Sequence, residues 1–380
     1  MYLSLEEKKR RYGLVREMMK RESIDSLLVI GSSGIGGPMG PGNFRYLTDF
    51  LMIFNYGLLL FFAESEPVML VGADLTQYHA LKQSWIDDVR ISKYFALDVV
   101  SVLKERKKGK GRLGVADMES LPASIYQSIR ENLTSWEMAD VAPLLLDLRL
   151  SKSKEEQLLM MKAAEITDNG FQAVLKMIRP GVTEREIIGI LEGFHRGHGS
   201  DQTFNIIFSG PFPVNSKNDS AIRLFCPSER KIEKGDIIVF EMTATYGGYW
   251  NQLVRAVSVG KENRELSQFH KASLKTIEAG VKAMRPGVRT SEFVKTIDSC
   301  VKTMGYRLNV PVGHYVGLDL VEVRVNPEIE LVLKAGAAAI IHPILSNADE
   351  DYMFWGQTYL IMENKTVSLN SAPDELVVVQ

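Results

Sequence analysis

Cysteine is nearly absent from this chain of 380 residues, which holds only Cys226 and Cys300. Two cysteines cannot build a disulfide framework, so a reducing, cytoplasmic setting is the expectation. An excess of one charge is also lacking. Lys and Arg total 45 against 47 Asp and Glu, a formal net charge of −2. No bulk field draws such a protein to nucleic acid or to an anionic membrane. Long apolar runs are missing too. The most apolar stretch, Tyr56 to Ala63, is too short to span a bilayer and reads as a sheet strand. The first residues, MYLSLEEKKRRYG, carry charges where a secretory leader needs an apolar core. What is present is ordinary for a globular protein: 45% hydrophobic and 24% charged residues, over a length that suits two or three domains.

Taken in order, Leu5–Glu22 has helical periodicity, with Leu14, Val15 and Met18 on one face. Asp25–Gly31 is a buried strand. The glycine-rich stretch from Gly31 to Gly42 invites a phosphate-binding reading. No capped helix is expected after it, Pro38 and Pro41 interrupt it, and its spacing fits neither a P-loop nor a dinucleotide fingerprint, so it reads as a flexible connector. Gly57–Ala63 and Pro67–Gly72 make a hairpin. Leu75–Gln83, Ala96–Arg106 and Pro122–Asn132 read as helices, and Arg112–Asp117 as a further strand. Strands alternating with helices predict an α/β layer domain over residues 1–148. A second domain, residues 149–380, opens on a long helix for which Ser153 is the N-cap and Glu155 and Glu156 fill the first turn.

That second domain repeats itself. MIRPGVTEREI (Met177–Ile187) and AMRPGVRTSEF (Ala283–Phe293) share an RPGV core at an offset of 106 residues. In each copy a long helix is ended by Pro-Gly, and Thr or Ser starts the next helix. Two related halves of helices and antiparallel strands predict an α+β domain with an internal pseudo-twofold. His195 and His198 (FHRGH) close one of these helices and read as surface residues.

The densest signal is Gly235–Val257, GDIIVFEMTATYGGYWNQLVRAV. It reads as a strand through Glu241, a turn at Gly247–Gly248 and a second strand through Arg255. This hairpin resembles that of the pita-bread peptidases (methionine aminopeptidase, aminopeptidase P, prolidase, creatinase). Asn43–Phe50 (NFRYLTDF) is similar to a segment of creatinase-type N-terminal domains. The resemblance implies a pita-bread C-terminal domain behind a smaller α/β N-terminal domain.

Metal-dependent members of that family hold two ions on two aspartates, one histidine and two glutamates, because two divalent cations need several hard anionic oxygens. By resemblance the aspartates fall on Glu241 and Gln252. The histidine falls on His314, in GHYVGLDLV. The glutamates fall on His342, in AIIHPI, and on Gly356, with Trp355 or Gln357 there if the alignment shifts by a residue. The family's substrate-loop histidine falls on Lys217, and its second histidine on Val321. At most one anionic oxygen donor survives, so neither a dinuclear centre nor any other cofactor is expected. One zinc on His314, His342 and Glu241 is the remaining metal alternative.

Three readings follow. The first is a metal-independent, creatinase-like hydrolase cleaving a C–N bond in a small, cationic substrate. His314, His342 and Glu241 are its catalytic set. Gln252, Lys217, Phe212, Tyr249, Trp250, Tyr315, Phe354 and Trp355 are expected to bind substrate, the rings forming a cation-binding wall. The second is a degenerate member that binds a ligand, peptide or protein. The third is an Xaa-Pro peptidase with an altered single-metal site. The resemblance further implies a homodimer in which Arg45, Phe54 or Tyr56 lines the neighbour's pocket.

Overall fold

The computed structural model describes residues 1–32, 42–52, 56–106, 110–213 and 227–380. The chain forms two compact units, Met1–Arg149 and Leu150–Gln380.

The first unit opens with α1 (Leu5–Arg21), capped by Ser4, whose side chain accepts the Glu7 amide. The elements β1 (Ser26–Ser32), α2 (Gly42–Thr48), β2 (Tyr56–Phe62), β3 (Val68–Val71) and α3 (Asp74–Gln83) follow. They are succeeded by β4 (Asp88–Ile91), α4 (Phe95–Arg106), β5 (Gly111–Ala116), α5 (Ala123–Asn132), β6 (Trp136–Asp140) and α6 (Ala142–Leu150). One six-stranded sheet runs β4-β3-β2-β1-β5-β6. Its apolar residues alternate between faces, and Leu28, Leu58, Leu60, Leu70 and Val115 meet Val99 and Leu103 of α4 and Ile129 of α5. A short helix, α2, follows the glycine-rich stretch. Residues 33–41 lie outside the described residues.

The second unit begins with α7 (Lys154–Leu175). Ser153 and Glu156 close a reciprocal capping box, which fixes where this helix starts. The chain continues through α8 (Glu184–Gly197), β7 (Ile206–Pro211), β8 (Asp236–Tyr246), β9 (Tyr249–Val259), α9 (Arg264–Ala283) and α10 (Thr290–Thr303). The remaining strands are β10 (Arg307–Asn309), β11 (Gly313–Tyr315), β12 (Val323–Arg324), β13 (Ala338–Ile341), β14 (Ile344–Ser346), β15 (Tyr352–Phe354), β16 (Gly356–Ile361), β17 (Thr366–Ser368) and β18 (Val377–Val379). The main sheet runs β12-β11-β13-β16-β9-β8-β7, with β17 beside β16 and β18 beside β9. Two cores cover it. One joins Phe171, Ile187 and Leu191 of α7 and α8 to β8 and β9. The other joins Phe269, Ile277, Phe293 and Ile297 of α9 and α10 to β13 and β16. These are the two halves that the RPGV repeat announces.

The β8–β9 hairpin is longer than the apolar run alone suggests. Gly247 and Gly248 take φ of 57° and 85°, the left-handed conformation that a tight hairpin turn requires and that glycine adopts without strain. Ten residues on each side then pair, from Ile237–Ser258 to Tyr246–Tyr249.

Candidate functional site

Alternation along β8 decides what faces the site. Ile238, Phe240 and Met242 turn into the core under α7 and α8, and Ile237, Val239 and Glu241 take the other face. The register carries this face across the sheet. Glu241 opposes Val254, and Val254 opposes Gly356. The β13–β16 ladder reaches the Ile341–Gln357 pair, and the next step sets His342 beside Gly356. A Cβ at Gly356 would lie 2.6 Å from His342 Cα and 2.1 Å from the Ile341 carbonyl oxygen. His314 on β11 opposes Ile340, which shares a face with His342. The two imidazoles stand 5.5 Å apart between centroids, at 70°.

Within this face Gln252 Nε2 donates to Glu241 Oε1. The Gln252 backbone N–H donates to Thr358 Oγ1 at 3.0 Å, and that hydroxyl donates back to the Gln252 carbonyl at 3.0 Å. The side chain of Gln252 is thereby held over the seam between β9 and β16. Burial pushes the Glu241 carboxyl up to about 7, against the Gln252 hydrogen bond that favours its charged form. Burial lowers His342 to about 4. Burial, with His342 as neighbour, lowers His314 to about 3. At neutral pH both imidazoles are therefore uncharged and Glu241 stands near half-protonation. Gln252 Oε1, His314 Nδ1 and both ring nitrogens of His342 are buried with no hydrogen-bond partner. Such orphaned polar atoms gathered on one face are the mark of a place where a ligand's own polar groups belong.

Several of the rings expected to wall the site lie elsewhere. Tyr249 donates its hydroxyl to Glu156 Oε1 at 2.7 Å, under α7. Tyr315 lies one residue from His314, on the opposite face, and packs with Phe293 and Ile297. Trp355 lies under the Arg255 guanidinium at 4.6 Å and against His270 at 4.4 Å. Trp250 is 1% exposed, and its backbone N–H donates to the Gly317 carbonyl at 2.9 Å. Phe212 stacks edge-on against Phe269 at 5.7 Å. For Tyr315 and Trp355 the reason is the strand's period of two, which turns the immediate neighbour of a site residue away from the site; Trp250, two residues from Gln252 on β9, keeps its face. Phe354 stays near the imidazoles, with its centroid 6.3 Å from that of His342. The same alternation settles the position of Gly356. Trp355 and Gln357 both face Arg255, whose Nη2 donates to Gln357 Oε1 at 2.5 Å.

Arg45 sits in α2, 9% exposed, 5.8 Å from the ring of Tyr2. Lys217 and Phe54 lie outside the described residues. His195, expected at the surface, is fully buried instead. Gly170 of α7 makes room for it, since a Cβ there would meet His195 Nε2 at 2.5 Å. His198 is exposed and stacks on Phe194 at 3.8 Å. Reading the sequence missed Arg324. It opposes His314 across β11 and β12, on the same side of the sheet, and is exposed. Its only signal was a lone arginine soon after GLDLV, ahead of a proline-containing loop.

A pair of divalent ions does not fit these donors. One carboxylate, one amide and two imidazoles cannot offset four positive charges, and the fifth position has no side chain. Among the described residues no three His, Cys, Asp or Glu residues are grouped closely enough to hold a metal ion. Among them, too, no helix is long and apolar enough to cross a membrane.

Residues 159–363 match the model of metallopeptidase family M24, and residues 11–151 match the creatinase/prolidase N-terminal domain. The chain is 26% identical over 318 residues to the Xaa-Pro dipeptidase of Pyrococcus furiosus, covering 83% of this chain and 87% of that one. It is 24% identical over 366 residues to a creatinase of a Bacillus species, covering 90% and 84%. Among solved structures it is similar to an X-Pro aminopeptidase of Thermotoga maritima, with TM-score 0.85 and 20% identity over 97% of this chain and 99% of that one. It is likewise similar to the prolidase of Pyrococcus horikoshii, with TM-score 0.81 and 24% identity over 97% and 100%.

Proposed function

The chain belongs to metallopeptidase family M24, as a pita-bread domain behind a creatinase/prolidase-type N-terminal domain, and we propose that it hydrolyses a C–N bond in a small substrate without a two-metal centre. The observation that carries this reading is the carboxyl of Glu241, raised by burial to about 7 on the sheet face that also carries two uncharged imidazoles. A group that is half-protonated at working pH both takes and returns a proton. In the ionised form it accepts the proton of a water whose oxygen attacks the scissile carbon. Now protonated, it gives that proton to the nitrogen as the C–N bond breaks, and the carboxylate is restored. His314 and His342, neutral, donate N–H to the oxygen or nitrogen on which negative charge gathers. Gln252 keeps Glu241 oriented.

The substrate class shifts with the geometry. Tyr249, Tyr315 and Trp355, counted toward a wall for a cation, lie elsewhere, and the exposed Arg324 brings positive charge beside His314. These features favour an amide- or peptide-like substrate that carries a carboxylate. The names of the Xaa-Pro dipeptidase relatives point the same way.

The orphaned nitrogens of His314 and His342 favour a second reading. Two neutral imidazoles 5.5 Å apart also suit a single zinc or manganese ion, with solvent and substrate completing its shell. That is an Xaa-Pro peptidase with one altered metal site. One experiment separates the two. The purified protein is stripped with chelator and assayed on Xaa-Pro dipeptides and on a panel of small N-acyl and amidino compounds, then reassayed with zinc and manganese added back. Hydrolysis that survives stripping and is lost in Glu241→Gln supports the first reading. Activity that returns only with about one ion per chain replaces it with the second. No hydrolysis under either condition leaves a binding protein.

A further inference from the structure

Helix α9 and the segment that ends in β18 leave a groove of about 460 Å³ between them, wholly within the second unit. One wall is a single face of α9, where Ser267, His270, Lys271 and Leu274 fall at i, i+3, i+4 and i+7. The other wall carries Asp374 and Glu375, then Leu376 and Val378. The walls are tied together. His270 Nε2 donates to the Asp374 carbonyl at 2.6 Å, and the buried Arg255 donates from Nη2 to Asp374 Oδ1 at 3.1 Å. Pairing of β18 with β9 fixes the far end. Arg255 also donates from Nη1 to the Gly356 carbonyl at 3.0 Å, which joins the groove to the reverse of the candidate site.

The lining decides what the groove takes. Leu274 and Leu376 pack against the core as well as lining the groove, and Val378 is 37% exposed, so an apolar surface runs along it. Glu262 accepts from Ser267 Oγ at 2.6 Å and so has a partner. The exposed side chains of Lys271 and Glu375 have none: neither makes a hydrogen bond or an ion pair with any described residue. They carry opposite charges and line one groove, yet do not pair with each other. Among the described residues no three His, Cys, Asp or Glu side chains gather closely enough to hold a metal ion, so the acids here are not a metal centre. An acid and a base set apart along an apolar surface are complementary to a ligand with a base and an acid at its ends and an apolar body. We propose that this groove binds a short peptide with free ends, a di- or tripeptide. Its carboxylate meets Lys271, its ammonium meets Glu375, and its apolar side chains lie on Leu274, Leu376 and Val378. The inference does not rest on the reading of the candidate site, whose Glu241, His314 and His342 take no part in it.

Isothermal titration calorimetry of the full chain with leucyl-leucine tests it, in the Glu241→Gln background so that turnover does not intrude. One peptide is expected to bind per chain. Lys271→Glu and Glu375→Lys should each weaken binding about ten-fold, with unchanged circular dichroism. The double reversal should recover most of the loss, since the peptide then binds the other way round. N-acetyl-leucyl-leucine and leucyl-leucine amide, each lacking one end charge, should bind about ten-fold more weakly than the free peptide. No binding at millimolar peptide overturns the proposal. Binding that ignores both reversals also overturns it, because the peptide then sits elsewhere. Equal affinity for the free and the end-blocked peptides overturns it as well, since the two charges are then not recognised.

Discussion

The turn at Arg179–Val182 and its counterpart at Arg285–Val288 are built alike. Gly181 has φ 95° and Gly287 φ 91°. The Gly181 N–H donates to the Ile232 carbonyl at 2.8 Å, and the Gly287 N–H to the Leu333 carbonyl at 2.9 Å. Single bridges, Thr183 to Lys231 and Arg289 to Val332, then tie each turn to a distant segment. Beyond the turns the halves part. Thr183 and Glu186 close a capping box on α8, whereas α10 starts after Arg289 with no side-chain cap. The strands diverge further. The first half gives the candidate site its carboxyl and amide, Glu241 and Gln252, and the second gives it His314, His342 and the bare Gly356. The lesson is about which constraints are rigid. A left-handed turn admits little but glycine, so the frame stays twofold. A side chain on an open strand face answers only to its neighbours, so the chemistry is free to become one-sided.

The largest effect should come from removing the acid half. Glu241→Gln is expected to lower kcat/KM by about 10³-fold, within the usual range for a lost general acid–base group. His342→Ala, which removes a donor from the other half, should lower it by roughly ten- to a hundred-fold. Equal losses in the two variants would remove the asymmetry of roles.

Gly356 sharpens the contrast next. Its missing side chain is required by the backbone, because a Cβ would overlap the Ile341 carbonyl oxygen at 2.1 Å. Gly356→Ala should destabilise the protein by about 3 kcal/mol in urea unfolding. Gly356→Glu should therefore fail to rebuild a two-metal site. A well-folded Gly356→Glu protein that takes up two ions would show that β16 is less constrained than the geometry implies.

The pH dependence of stability separates the halves by sign. Glu241 is raised from 4.5 to about 7, so the folded state holds the extra proton. Its contribution is full below pH 4.5 and is lost as pH rises through 7, roughly 2 kcal/mol after allowing for the exposed part of the side chain. His314 and His342 are depressed from 6.5 to about 3 and about 4. Their contribution is full above pH 6.5 and is lost as pH falls toward their folded values. Stability measured by denaturant titration should peak between these limits. Glu241→Gln should flatten the decline toward pH 7 and steepen the rise between pH 4.5 and 6.5, where its loss had opposed the histidines' gain.

The smallest effect lies in the caps. Thr183→Ala should cost about 1 kcal/mol, and Arg289→Ala well under half of that, since Arg289 caps nothing. Urea midpoints of the two variants compare them directly.

Much of this was legible in the sequence. Alternation and turn residues located the β8–β9 hairpin, and the RPGV spacing announced two halves because helix ends and left-handed turns are local events. Ser153 could be read as a cap for the same reason. The family resemblance, resting on short motifs, named Glu241, Gln252, His314, His342 and Gly356. What surrounds them was not legible. Trp355 and Tyr315 stand next to candidate site residues in the chain and face away from them, because strand register and face are settled by what packs on each side. His195 looked like a surface residue and is buried, since Gly170 on another helix makes space for it. Arg324 reaches the site face only through pairing with β11. The sequence by itself determined the order of elements, the internal repeat and the kinds of side chain available to the site. The tertiary structure alone decided which of them share a face, and it raised Glu241 and lowered the two histidines, because desolvation depends on what the whole chain folds around them.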